Sequence, residues 1–134
     1  MSTSCNIVVA DEDNAICLYK QSDGYPDGES GIIAGIKSAM KYAWPLPRFE
    51  AGDFAAALVR GMKEPGGGGI YIEDIDILDD IYPPCISDYT YNIRRSTNGD
   101  SLLIIVEDGK CNKIDEILLY PEIDNSTAPC ESEP

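Results

Sequence analysis

The chain of 134 residues contains no histidine, and this absence removes several kinds of active site. Ser-His and Cys-His nucleophile pairs need an imidazole base, and histidine-ligated zinc needs an imidazole ligand. No apolar run approaches the roughly 20 residues that a membrane-spanning helix requires. The first residues, Met1 to Asn6, have neither the basic region nor the apolar core of a signal peptide. We therefore expect a cytoplasmic protein that does not bind membranes.

Closely spaced cysteine pairs are also missing. The five cysteines are odd in number and well separated, at Cys5, Cys17, Cys85, Cys111 and Cys130. This pattern favours free thiols in a reducing compartment over a disulfide framework. Since no cofactor motif and no metal-ligand spacing is present either, the sequence predicts no cofactor, no metal site and no catalytic residue.

Basic residues are scarce. Lysine and arginine total 10 and aspartate and glutamate total 24, so the net charge is −14. Residues 1–64 carry a net charge of −3 and residues 65–134 carry −11. Such a field repels nucleic acid and attracts basic surfaces, so we expect no direct nucleic-acid binding. High charge also keeps proteins soluble, which is the alternative explanation for this composition.

What the chain does contain is a clear change of apolar spacing, from helical to strand-like, at the proline and four glycines of residues 65–69. Strands are predicted at 5–10 and 15–20, around the turn Asp11-Glu12-Asp13-Asn14. A helix capped by Asp27 or Ser30 should end near Trp44-Pro45, and a second helix should span residues 51–63. Further strands are predicted from residue 70 and at 88–94, 101–106 and 114–120.

This order predicts an α+β domain over residues 1–121, with two helices packed on one mainly antiparallel sheet in the order ββααβββ(β). Ile36, Phe54, Leu58 and Ile104 lie on the inward phase of their elements and are the predicted core. Residues 122–134 are acidic and have no apolar periodicity, which predicts a flexible tail.

Two groups of residues are candidates for binding. The first is an acidic surface for a basic partner, made of Glu73, Asp74, Asp76, Asp79, Asp80, Glu107 and Asp108. Asp115 and Glu116 would extend it if the strands were neighbours. Alternate strand residues lie ~6.5–7 Å apart, close to the phosphate spacing along one DNA strand. A solvated acidic face gives the same pattern, and so does a strand whose paired carboxylates, Asp74 and Asp76, act as acid and base.

The second candidate is a small-ligand pocket formed by Asp23, Tyr25 and Trp44. Buried packing of Tyr25-Pro26 on Trp44-Pro45 is the structural alternative. The glycines at 66–69 precede a strand, whereas a phosphate-binding glycine loop leads into a helix, so we interpret them as a connector. The three carboxylates of residues 23–29 lack the spacing of a calcium loop.

Several stretches together resemble a family of small, mostly uncharacterised proteins of bacteriophages and prophages. They are Leu18-Tyr19-Lys20 followed by Asp23-Gly24-Tyr25-Pro26, Ala43 to Phe49, Asp53 to Ala57, and the glycine run before Ile70-Tyr71-Ile72. The resemblance covers about residues 15–95. This chain has Lys20-Gln21-Ser22 where the family has a more basic, histidine-containing segment. The resemblance implies a phage or mobile-element accessory protein in the host cytoplasm.

Composition and resemblance together lead to two functional hypotheses. The first is a non-enzymatic inhibitor, comparable to anti-CRISPR proteins or DNA mimics, whose acidic surface binds the basic surface of a host nucleic-acid-binding protein. The second is a binding protein for a small ligand or signalling nucleotide that uses the region of Tyr25 and Trp44. Salt dependence of binding separates them, because only the first depends mainly on charge.

Overall fold

Eight elements are present in the part of the chain that the computed structural model describes, residues 3–21, 23–26, 28, 31–63, 69–73 and 87–121. They are, in chain order, strands β1 (Cys5–Ala10) and β2 (Ala15–Lys20), helices α1 (Ile32–Ala39) and α2 (Ala51–Lys63), and strands β3 (Ile70–Glu73), β4 (Tyr89–Arg95), β5 (Leu102–Asp108) and β6 (Lys113–Leu119). The α+β class with two helices and a mainly antiparallel sheet is confirmed. The expected order left the last strand optional, whereas four strands follow the helices here.

The six strands form one sheet in the order β3-β2-β1-β4-β5-β6. β1 and β2 form the predicted hairpin, in which Cys5 lies opposite Lys20. On its other side β1 pairs in parallel with β4, and Ile7 lies opposite Tyr91. Parallel neighbours are joined by long crossover connections and not by a tight turn. The sequence therefore contains no local turn signal that indicates the pairing of β1 with β4.

The core lies on one face of the sheet, beneath the helices. Alternate residues of the central strand, Cys5, Ile7 and Val9, are fully buried there, as strand alternation requires. All four predicted core residues are buried, which confirms that prediction: Ile36, Phe54, Leu58 and Ile104. α2 packs against β1, β2 and β3, and α1 packs against α2.

The ends of α1 differ from the prediction. Its N-cap is Gly31, which makes no side-chain capping bond, and the predicted caps Asp27 and Ser30 lie outside the described residues. The helix ends at Ala39, well before Trp44. The N–H groups of Lys41 and Tyr42 donate to carbonyls three residues back, at 3.1 and 3.0 Å. Bonds to the third residue back are those of a 3₁₀ turn, so the α-helical hydrogen-bond pattern stops at Ala39.

The turn between β1 and β2 is joined to the start of α2 by one carboxylate. Asp11 Oδ1 accepts hydrogen bonds from the N–H groups of Asp13 at 2.8 Å and Asn14 at 2.7 Å. Its Oδ2 accepts from the N–H of Ala51, the first residue of α2, at 2.8 Å. These bonds lower the pKa of Asp11; the bond from Ala51 has the largest effect and the bond from Asn14 the next largest. Asp11 thus supplies a helix cap from forty residues earlier in the chain.

The cysteines correct one expectation. Cys5 and Cys17 are free and buried, and burial raises the pKa of the Cys5 thiol to about 12. Cys111, however, is disulfide-bonded. It lies in the exposed turn between β5 and β6. The expectation of free thiols holds for Cys5 and Cys17 and is wrong for Cys111, because spacing along the chain does not reveal which cysteines come within bonding distance.

No described helix is long and apolar enough to cross a membrane, and the longer of the two, α2, has 13 residues.

Candidate functional site

The residues of the predicted acidic surface are dispersed where the structure describes them. Glu73 ends β3 opposite Cys17, and Glu107 and Asp108 end β5. The strands β2, β1 and β4 separate β3 from β5, so four strand spacings, or about 19 Å, lie between them. The strands carrying Glu73 and Glu107 are thus not neighbours. Asp74, Asp76, Asp79 and Asp80 lie outside the described residues.

The carboxylate of Asp108 stabilises the turn from β5 to β6. Its Oδ1 accepts from the N–H groups of Asn112 at 3.0 Å and Lys110 at 2.8 Å. These two bonds lower the pKa of Asp108, and the bond from Asn112 has the larger effect. On β6, Glu116 pairs with Lys113, while Asp115 is exposed. Part of the negative charge on this hairpin is therefore engaged within the hairpin itself.

Asp23 and Tyr25 lie close together beside the start of α1. The Tyr25 hydroxyl donates to the Asp23 carboxylate at 3.5 Å, and the Tyr25 carbonyl accepts from the N–H of Ile32 at 2.9 Å. Trp44 follows the other end of α1, whose eight residues span about 12 Å. The structure therefore brings together Asp23 and Tyr25 but places Trp44 at the opposite end of the helix.

Gly24, between those two residues, explains the Asp-Gly-Tyr-Pro stretch structurally. A Cβ at this position would lie 2.7 Å from the carbonyl carbon of Ser4, just before β1. The N–H of Gly24 donates to Thr3 at 2.8 Å, and its carbonyl accepts from the buried Tyr91 hydroxyl at 2.6 Å. The stretch thus holds the loop against the beginning of the central strand.

Trp44 lines a cavity of about 980 Å³, which we call the Trp44 cavity. It lies between the second half of α1, the loop after it, and the ends of β5 and β6. Its walls are mainly apolar and aromatic: Met40, Trp44, Leu46, Phe49, Phe54, Leu102, Leu119 and Tyr120. Leu102 and Leu119 are opposite one another in the β5–β6 register, and Phe49 and Phe54 have ring centroids 5.6 Å apart. Three separate parts of the chain therefore build one apolar recess.

The loop that carries Trp44 is held in place by specific contacts. The Trp44 N–H donates to the Asp53 carboxylate, in the first turn of α2, at 3.0 Å. The guanidinium of Arg48 lies 3.7 Å from the centroid of the Trp44 ring. Arg95, at the end of β4, donates to the carbonyl of Pro47 at 2.6 Å. Because these contacts order the loop, the Trp44 cavity exists before any ligand enters it.

The charge of the Trp44 cavity is opposite to that of the whole chain. Lys37 and Lys41 line it, and none of its described lining residues is acidic. Both lysines are exposed, and neither forms an ion pair with a described residue. Residues 31–63 carry five basic and two acidic side chains, a net charge of +3 in a chain of −14.

Sequence reasoning found Trp44 but missed the rest of this site. Lys37 and Lys41 are four residues apart in the sequence, a spacing that is equally typical of the solvated face of a helix. Leu102, Leu119 and Tyr120 come from the far end of the chain, and only the end of the β5–β6 hairpin brings them to Trp44.

A second cavity, of about 910 Å³, is polar and lies beside the β1–β2 turn. Charges of both signs line it, and two of them, Arg95 and Glu12, approach to 3.8 Å. It contains the carboxylate of Asp11, which already caps α2. Among the described residues, no group of three or more cysteine, aspartate or glutamate side chains is arranged to hold a metal ion.

Comparison with known proteins adds no relatives. No family model matches the chain, and neither a curated protein sequence nor a solved structure is significantly similar to it.

Proposed function

We propose that this protein is a non-enzymatic binding protein that holds a small apolar molecule in the Trp44 cavity. The observation that carries the proposal is a preformed recess of about 980 Å³ with aromatic and aliphatic walls. Sites for small molecules are concave, mostly apolar and largely preformed, with volumes of roughly 300–1,000 Å³. The proposal keeps Trp44 from the second sequence hypothesis and replaces Tyr25 with residues of β5 and β6.

The exposure of the aromatic walls supports the proposal. Trp44 is 41% exposed and Tyr120 is 60% exposed, although both rings carry large apolar surfaces. Burying such rings against an apolar ligand is favourable by about 25 cal/mol for each Å² removed from water. Since Asp53 and Arg95 already order the loop, little conformational entropy is lost on binding.

Trp44 fluorescence tests the proposal, because Trp44 is the only tryptophan in the chain. Titration with 1-decanol, a neutral probe, should shift the Trp44 emission to shorter wavelength and saturate. Ala34→Phe places a ring in the cavity wall and should abolish the shift. Ala56→Phe, on the exposed side of α2, is the matched control and should leave it unchanged. No saturable shift, or an equal shift in the Ala34→Phe variant, would refute the proposal.

A second candidate function follows from the uneven charge. Outside residues 31–63 the chain carries a net charge of −17, against +3 within them. We propose, as the alternative, an inhibitor from a phage or mobile element whose acidic surface occupies a basic groove of a host nucleic-acid-handling protein. The resemblance over residues 15–95 supplies that biological context.

Replacement of Asp76, Asp79 and Asp80 by lysine tests this alternative, because it changes the charge by +6. Binding to a protein captured from host lysate should collapse in the triple variant and weaken steeply with salt in the wild type. Circular dichroism checks that the variant is folded. A folded triple variant that binds as tightly as the wild type would mean that the negative charge only keeps the protein soluble.

A further inference from the structure

We propose that the molecule held in the Trp44 cavity is an amphipathic anion, with an apolar body against the aromatic walls and one anionic head group beside Lys37 and Lys41. This inference rests on the proposed function and adds the chemical class of the ligand. The ligand class follows from the apolar walls, the two lysines and the lack of acidic side chains in the described lining.

The body of the ligand is apolar because the cavity has few groups to satisfy a polar one. The side chains of its described lining that carry a polar group are those of Lys37, Ser38, Lys41, Trp44 and Tyr120, and Trp44 offers only its indole N–H. A nucleobase carries several donors and acceptors around its edge, and burying them unpaired costs free energy for each group. A hydrocarbon chain or an unsubstituted ring has no such groups. The nucleotide ligand of the sequence hypothesis therefore fits these walls poorly.

The head group is anionic because the only charged side chains of the described lining are lysines. Lys37 and Lys41 have no carboxylate partner among the described residues, so an incoming anion displaces none. Charge-assisted hydrogen bonds from an ammonium to a carboxylate, sulfonate or phosphate are stronger than neutral ones. A cationic ligand would meet two like charges and no described acidic group in the lining.

The chain's own end is the competing occupant. Pro121 lines the cavity, and residues 122–134 contain Ile123 and four carboxylates. This segment has the same sign of charge as the proposed ligand and follows Pro121 directly in the chain. A diffusible ligand and this segment are distinguished by deleting residues 122–134.

Three probes with the same ten-carbon chain test the inference: decanoate, 1-decanol and decyltrimethylammonium, each well below its micellar concentration. Trp44 emission should report affinities in the order anion, neutral, cation. Decanoate should bind roughly 5- to 30-fold more tightly than decanol, as expected for two charge-assisted contacts to exposed lysines. Added salt should reduce that ratio. In the double variant Lys37→Gln/Lys41→Gln the ratio of decanoate to decanol affinity should fall to about one.

The controls distinguish the anionic class of the ligand from the binding function itself. Lys63→Gln removes an exposed charge at the end of α2, outside the cavity lining, and should leave the ratio unchanged. If all three probes bind equally, the anionic class is wrong and the binding function stands. If none binds, both are wrong. A rise of more than tenfold in decanoate affinity on deleting residues 122–134 would identify the chain's own end as the occupant and overturn the proposal.

Discussion

The single carboxylate of Asp11 should account for a measurable part of the stability of this fold. The substitution Asp11→Asn isolates its contact with α2. The asparagine Oδ1 can still accept from the N–H groups of residues 13 and 14, which the Asp11 Oδ1 contacts at 2.8 and 2.7 Å. The new Nδ2, however, faces the N–H of Ala51, and two donors cannot bond to each other.

The expected loss is that of a helix cap. Ala51 is fully buried, so its N–H finds no water to replace the lost acceptor. Removal of a capping acceptor typically costs ~0.5–2 kcal/mol. Urea unfolding at pH 7, followed by Trp44 fluorescence, should therefore show a lower midpoint with an unchanged slope.

The difference in stability between the wild type and the Asp11→Asn variant should also depend on pH, and it should shrink as the pH falls. Hydrogen bonds lower the pKa of Asp11 below its usual value of 3.8. A lowered pKa means that the contribution is present above that usual value and is lost as the pH falls through the folded-state pKa. The wild type and the Asp11→Asn variant should therefore differ by a constant amount from about pH 7 to pH 5 and converge below about pH 4.

Asp13→Asn is the matched control, because it makes the same charge change two residues away on an exposed side chain with no hydrogen bond to a described residue. It should leave stability within about 0.5 kcal/mol of the wild type. Equal losses in the two variants would show that net charge is responsible and would refute the capping argument. A gap between wild type and Asp11→Asn that persists in acid would refute it as well.

Three further changes probe the packing. Leu58→Ala should cost ~2–5 kcal/mol in urea unfolding, because Leu58 is fully buried on the inner face of α2, and a loss below about 1 kcal/mol would contradict that packing. Gly24→Ala should lower thermal stability by about 1–3 kcal/mol, since its Cβ would lie 2.7 Å from Ser4, whereas Gly52→Ala, with only Ile16 at 3.7 Å, should be neutral or stabilising. Deleting residues 122–134 should change stability by less than about 0.5 kcal/mol because the described core ends at Leu119, and a large drop in melting temperature would show that the tail is docked.

Local patterns in the sequence predicted the elements of this fold well. The hairpin of β1 and β2 follows from two apolar runs around a polar turn. The burial of Phe54 and Leu58 follows from the apolar stripe of α2. These features depend on residues within one or two turns or strands of each other, and the periods of helix and strand are visible in the chain itself.

Pairings between distant residues were decided by the tertiary structure. β1 and β4 pair in parallel although two helices and two other strands lie between them in the chain. The same strand order separates Glu73 from Glu107, and the length of α1 separates Tyr25 from Trp44. Neither separation can be inferred from the spacing of those residues in the chain.

The candidate site illustrates the same division. The sequence by itself determined that Trp44 follows a helix and precedes two prolines that prevent another turn. Only the folded chain brings Leu102 and Leu119 beneath it and places Lys37 and Lys41 at the same cavity. The physical reason is that apolar periodicity states which face of an element is buried, whereas the partner that buries it depends on the packing of all elements at once.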